Sequence, residues 1–236
     1  AELINTLRGL GDNAEDNDFV VQSTTEIRSG TLDGLVFTPA SGGANNASTL
    51  HLRNGAVLRI PNGQSWDDDD ADHDGRGTIE NHGVFTKDGG AVEAALVNHE
   101  GATVNIVSSM FLDGPLTNDG TIAFDEEASG FASLTLQGHS NSTGAFTLGD
   151  DHSIRFGIPN DATEDVQHIL TKTSSITGPG NVSFAGLENN GDSTPTLTAT
   201  VRGTYQLTGT GSTTAVTDNA TVEIDITPDS NLGSIL

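Results

Sequence analysis

Cysteine is absent from this 236-residue chain, so no disulfide staples it and no thiol chemistry enters its function. Basic residues are almost as scarce. Two lysines, Lys87 and Lys172, and seven arginines face 22 aspartates and 11 glutamates, for a net charge of −24. Binding nucleic acid needs clustered Lys and Arg against the phosphates, so that class of partner is excluded. Aromatic residues make up 5% of the chain, with one Trp and one Tyr, too few for the stacking platforms of a sugar-binding groove. No apolar run approaches the roughly 20 residues that cross a bilayer, which argues against membrane insertion. No signal-peptide pattern opens the chain. It begins at Ala1 without an initiator Met, as expected of an exported product whose signal has been removed.

What remains is Gly, Asn, Thr and Ser around a 33% hydrophobic fraction, enough for a narrow core. A length of 236 residues fits one large all-β domain or two small ones. A mutually repelling acidic surface is usual in halophilic proteins, where salt screens the repulsion. A secreted, calcium-loaded protein has the same balance.

One phrase organises the middle of the chain. It reads Thr-Ile-Glu-Asn81-His-Gly83-Val-Phe, then Leu-Val-Asn98-His-Glu-Gly101-Ala-Thr-Val, then Leu-Thr-Asn118-Asp-Gly120-Thr-Ile-Ala-Phe. Gly83, Gly101, Gly120 and Gly138 recur at a near-constant interval. Short strands and turns at such a period predict an all-β fold, a single-stranded β-helix or β-solenoid, each repeat stacked on the last. The competing reading is a β-sandwich of hairpins, since Asn-x-Gly also makes hairpin turns. In the solenoid, Asn81, Asn98 and Asn118 sit at equivalent corners. There Asn and Gly tolerate a left-handed backbone, and the Asn side chains stack into a hydrogen-bonded ladder. The inward set is Ile79, Phe85, Leu96, Val104, Leu116, Ile122, Leu134 and Leu136. About ten rungs are expected, with Val166–Leu170 readable as a strand or a helical turn.

The organisation is residues 1–18 as an N-terminal cap or assembly arm with an acidic linker, then residues 19–236 as the solenoid. Leu3, Ile4, Leu7 and Leu10 recur at helical spacing, as in a short helix laid over an open end. Such an end exposes strand edges and apolar rungs unless it is covered. The far end finishes on Ile226, Ile235 and Leu236, again apolar. Both ends therefore predict head-to-tail contact between copies, with residues 1–11 as a private cap the alternative. Four sequons, at Asn46, Asn141, Asn181 and Asn219, mildly favour a glycoprotein of the cell exterior.

With these phrases, His168-Ile-Leu-Thr…Ser175-Ile-Thr-Gly178…Val-Ser-Phe184 and Gly203-Thr-Tyr-Gln-Leu-Thr-Gly209, residues 30–226 resemble β-helical stalks of bacterial and archaeal surface proteins. Autotransporter passengers and filamentous-haemagglutinin-like adhesins are the familiar members. The resemblance is one of pattern. It implies an exported right-handed β-helix used for adhesion, as a surface layer or as a filament subunit at the cell surface. The chain is shorter than most such stalks and shows no anchoring barrel, which favours a small secreted module.

Two constellations carry chemistry. Residues 64–76 read as an acidic loop inserted into the solenoid, with six aspartates between positions 67 and 74. Asp70, Asp72 and Asp74, followed by Gly75, match the start of a calcium loop, with Asp68 a further ligand. The twelfth position is Asn81 rather than an acid, so a solvated acidic loop is the alternative. The second constellation is Glu80, Asp125, Glu126 and Glu127, a carboxylate set for a polysaccharide-degrading enzyme. Lys87 is the only lysine near it, and lyases use cations to neutralise uronates, so the chain is read as no enzyme. The seven histidines show no metal-ligand spacing, and His82 and His99 read as polar corner residues. The expected role is a secreted structural or adhesive solenoid that assembles with itself. A glycan-binding adhesin or tailspike-like module, with surface glycans as partners, is the alternative.

Overall fold

The structure is a computed structural model. It describes residues 18–21, 25–27, 30–33, 36–39, 49–52 and 56–60 by the course of their strands. From 78 to 236 it describes all residues except 88, 93, 94, 126, 127, 129, 160, 161, 188–194 and 227–229, and residue 91 by its backbone only. The proposed cap residues Leu3, Ile4, Leu7 and Leu10, the acidic loop with Asp68, Asp70, Asp72 and Asp74, and Asn46 all lie outside the described residues.

The protein is a parallel β-solenoid with three walls. Within one turn the chain lays down Thr78–Asn81, then Val84–Lys87, then Gly90–Val92. The next strand, Ala95–Asn98, returns onto Thr78–Asn81 in parallel register. Repetition of this circuit stacks nine strands in the first sheet, eight in the second and seven in the third. Every strand pair among the described residues is parallel, which removes the hairpin sandwich, because hairpins pair antiparallel. Among the described residues the first sheet is nine strands deep, beside an expectation of about ten rungs for the chain. Val166–Leu170 is a strand of that sheet, paired with Leu197–Val201.

Alternation explains the core. Strands such as Thr78–Asn81, Val84–Lys87 and Ala95–Asn98 alternate half-buried and buried positions, so every second side chain points into the coil. In-register stacking turns these positions into columns. In the second sheet Phe85, Val104, Ile122, Phe146, Ile176 and Tyr205 succeed one another, all at most 3% exposed. Ile79, Leu96, Leu116, Leu134 and Leu136 are also buried. Each such side chain contributes about 1.5–3 kcal/mol through removal from water. That is how a 33% hydrophobic chain holds a continuous core.

The glycine period is shorter-lived than its spacing implies. Gly83, Gly101 and Gly120 do follow the equivalent Asn81, Asn98 and Asn118. Gly138 belongs to a different corner, where it lies against the backbone of Gly114. The true successor of Gly120 is Gly144, which follows Ser142, the register partner of Asn118 in the rung above. A β-carbon on Gly144 would lie 2.1 Å from the Gly120 carbonyl oxygen, so the stacking itself demands glycine there.

Candidate functional site

The corner joining the first and second sheets gathers the polar residues that the repeats share. Asn81, Asn98 and Asn118 are consecutive in register and wholly buried. The Asn81 amide donates to Asn98 Oδ1 at 2.8 Å, and the Asn98 amide donates to Asn118 Oδ1 at 2.8 Å. Asn118 then donates to Ser142 Oγ at 3.1 Å, where the column changes residue type. Each amide also reaches a backbone carbonyl of the second sheet one rung on, Asn81 to Thr103 at 3.0 Å and Asn98 to Thr121 at 3.2 Å. The ladder thus satisfies both ends of each buried carboxamide, as a low-dielectric interior requires.

One expectation about this corner needs correcting. None of these asparagines has a left-handed backbone; among described non-glycine residues only Asp151 and Asp218 do. They end extended strands, and their value lies in the side chain. In the three central phrases the left-handed residue is Gly101, with φ +80°. A β-carbon there would meet nothing, so conformation rather than space selects glycine.

Outside the ladder, the same register assembles a cluster. Because Asn81 pairs with Asn98, the residues after them, His82 and His99, fall one above the other. Their rings stack at 3.7 Å between centroids and 8° between planes. Glu80, on the outer face of Thr78–Asn81, reaches up to the His99 Nε2 atom and hydrogen-bonds it. Ligand atoms of Glu80, His82 and His99 all lie within 4.8 Å of one another, and all three residues are half-buried. The next residue in the column, Asp119, accepts a 2.6 Å hydrogen bond from Thr143 Oγ1. No linear spacing of known metal motifs connects positions 80, 82 and 99. The signal is the length of one rung, the step from Asn81 to Asn98, which becomes readable only once the register is known.

The remaining sequence candidates disperse. Asp125 follows the second-sheet strand Thr121–Phe124 at another corner and two rungs above Glu80, and Glu126 and Glu127 lie outside the described residues. Of the described sequons, Asn141 is exposed on the first sheet. Asn181 accepts from Thr213 N and Oγ1, and Asn219 donates to the Pro195 carbonyl. Ile226 packs partly buried against the core, whereas Ile235 and Leu236 are 67% and 73% exposed.

A buried histidine that the sequence did not single out sits higher in the coil. His168 takes an inward position on the first sheet, hydrogen-bonded to Ser140 Oγ through Nδ1 at 2.8 Å and to the Gly157 carbonyl through Nε2 at 3.1 Å. Burial pushes its pKa down to about 4, against the Gly157 carbonyl, which favours the charged form. No helix among the described residues is long and apolar enough to cross a membrane. Comparison with protein-family models, with curated proteins and with solved structures returned no match for this chain.

Proposed function

We propose that this chain is a structural module of the cell exterior, a rigid acidic rod whose copies stack end to end into a filament or surface layer. The observation that carries this reading is the stack itself, in which each rung presents a parallel edge that the next one pairs with, up to the last described rung. Ala220–Ile224 pairs with Leu197–Val201 on one side, and no described strand pairs with its other edge. Ile224, Ile235 and Leu236 are exposed there, at 38%, 67% and 73%. Among the described residues they are three of the six exposed large hydrophobics, so apolar exposure concentrates at the end. A parallel sheet edge is a template for a further parallel strand, and another copy of the same coil supplies strands of matching spacing. Such a head-to-tail contact is heterologous and propagates unless its rotation closes a ring.

The sides work the other way. A net charge of −24 keeps rods apart until salt screens it or a cation such as calcium, held by Asp68, Asp70, Asp72 and Asp74, bridges them. The resemblance to surface-protein stalks supports the same reading. An adhesin that binds glycans has less behind it, since the single Tyr is buried against Thr214 in the core.

Sedimentation velocity and negative-stain microscopy in molar salt test the proposal. The native chain is expected to form rods or growing oligomers with rising concentration, and the Ile224→Lys, Ile235→Lys double variant to stay monomeric with an unchanged far-ultraviolet spectrum. A native chain that sediments as a monomer at every concentration, with and without calcium, would overturn it.

A further inference from the structure

Glu80, His82 and His99 form the one group of three or more His, Cys, Asp or Glu ligand atoms clustered tightly enough for a metal ion among the described residues. We propose that this group is a binding site for a borderline transition-metal ion, with Zn²⁺ the natural occupant, that clamps two neighbouring rungs together.

The donor chemistry selects the metal class. Two imidazoles and one carboxylate suit Zn²⁺, whereas Ca²⁺ takes six to eight oxygen ligands. The site is therefore distinct in kind from the acidic run at Asp67–Asp74. Three protein ligands leave the fourth tetrahedral position to water or to a ligand from a partner, and the half-buried setting leaves it reachable from solvent.

The fold supplies the positioning. Glu80 and His82 belong to one rung and His99 to the next, so an ion held by all three crosses the gap between adjacent parallel strands. The backbone beneath them is anchored by the buried Asn81–Asn98 hydrogen bond at 2.8 Å, which leaves only side-chain torsions to adjust. The stacked rings set the imidazole lone pairs side by side rather than convergent. Capture of an ion thus requires the two rings to splay and Glu80 to exchange the His99 ring for the metal. Asp119, directly above, is tied to Thr143 and leaves the ligand set at three. The chain's net charge of −24 raises the local concentration of any cation near this corner.

Because an ion bound across two rungs favours the folded coil, it raises apparent stability by mass action. The clamp also joins the first rung with described side chains to the one above it, next in sequence to residues 61–77.

The test uses the full chain with ZnCl₂ as the probe, titrated calorimetrically in molar salt beside the variants His99→Gln, Glu80→Gln and Asp72→Asn/Asp74→Asn. The expected result is one Zn²⁺ per chain. His99→Gln and Glu80→Gln should each weaken binding roughly tenfold or more, and the aspartate variant should bind as the native chain does. Ring ¹⁵N resonances of His82 and His99 should shift on addition of Zn²⁺ while that of buried His168 stays in place. A rise in melting temperature with Zn²⁺ should be present in the native chain and lost in His99→Gln. Binding that survives His99→Gln and disappears with the aspartates overturns the proposal, as does unmoved His82 and His99 resonances at saturating Zn²⁺. Should His99→Gln unfold, the ring resonances of the native chain decide alone.

Discussion

The rungs between Thr78 and Phe124 and those between Ser140 and Leu207 share one circuit but hold their shared corner by opposite means. In the lower set the corner column is Asn81, Asn98, Asn118, a chain of carboxamides with every hydrogen bond made inside. In the upper set the same column continues as Ser142, Leu170 and Val201, in register and equally buried. Away from that corner, rings from the third sheet fill the upper core: Phe156 stacks on Phe184 at 5.0 Å and meets Phe146 of the second sheet and His168 of the first edge-on at 6.1 and 5.2 Å. The lower corner is specified by partners that must match; the upper one is specified by volume. That difference explains why the sequence period is visible in one half and lost in the other. A ladder of identical residues tolerates little variation at the corner, and the steps from Asn81 to Asn98 and from Asn98 to Asn118 are short and close in length. An apolar column tolerates longer excursions. The steps from Ser142 to Leu170 and from Leu170 to Val201 are both longer than either of those below.

Substitutions in each half break or sharpen the comparison. The largest effect is expected from Phe156→Ala, which removes a wholly buried ring at the centre of the aromatic stack. A loss of about 4 kcal/mol in chemical denaturation is the expected outcome. Phe111→Ala, on the outer face of the same sheet and 43% exposed, should cost under about 1 kcal/mol. Equal losses would mean that the upper half is not held by its core rings.

Acidification should strike the upper half first. The native pKa of His168 is about 4 against an ordinary value of 6.5, so between these values the unfolded chain binds a proton that the native chain refuses. Stability from this group is complete above pH 6.5 and is lost as pH falls towards 4, by about 3 kcal/mol in all. His152 is shifted down as well, again by burial, against the opposing pull of Asp151 and Asp150. Denaturant midpoints measured from pH 7 to 4 should therefore decline, and the decline should shrink in His168→Gln. Native-state hydrogen exchange at pH 5 should show the strand Val166–Leu170 opening before Ala95–Asn98.

A smaller loss than for Phe156→Ala is expected where the two corner solutions are exchanged. Asn98→Leu places in the lower column the residue type found above at Leu170. It leaves the Asn81 amide short of one acceptor and Asn118 Oδ1 short of its donor. The expected cost is about 2 kcal/mol in spite of the added apolar volume. A gain in stability would show that the carboxamide ladder is dispensable and that volume alone suffices throughout.

Much of this was legible in the residues. The alternation of Thr-Ile-Glu-Asn and Leu-Val-Asn, repeated before a turn, determines strands with one face inward, and three copies at nearly equal spacing favour a stack over a set of hairpins, a choice that the parallel pairing then decides. The composition determines an acidic exterior and the absence of disulfides. What the tertiary structure alone decided is which residues meet. Gly138 keeps the numerical period yet serves another corner, because a strand pairs by register and not by count. The asparagines matter through their amides and not through a left-handed backbone, since the corner turns after them. His82 and His99, separated in sequence and joined by no motif, become neighbours because one rung at that place is as long as the step between them. The rungs above are longer, so the same step there would bring no two residues together. Loop length at the corners sets the register, and loop length carries no periodic signal from which contact can be read in advance.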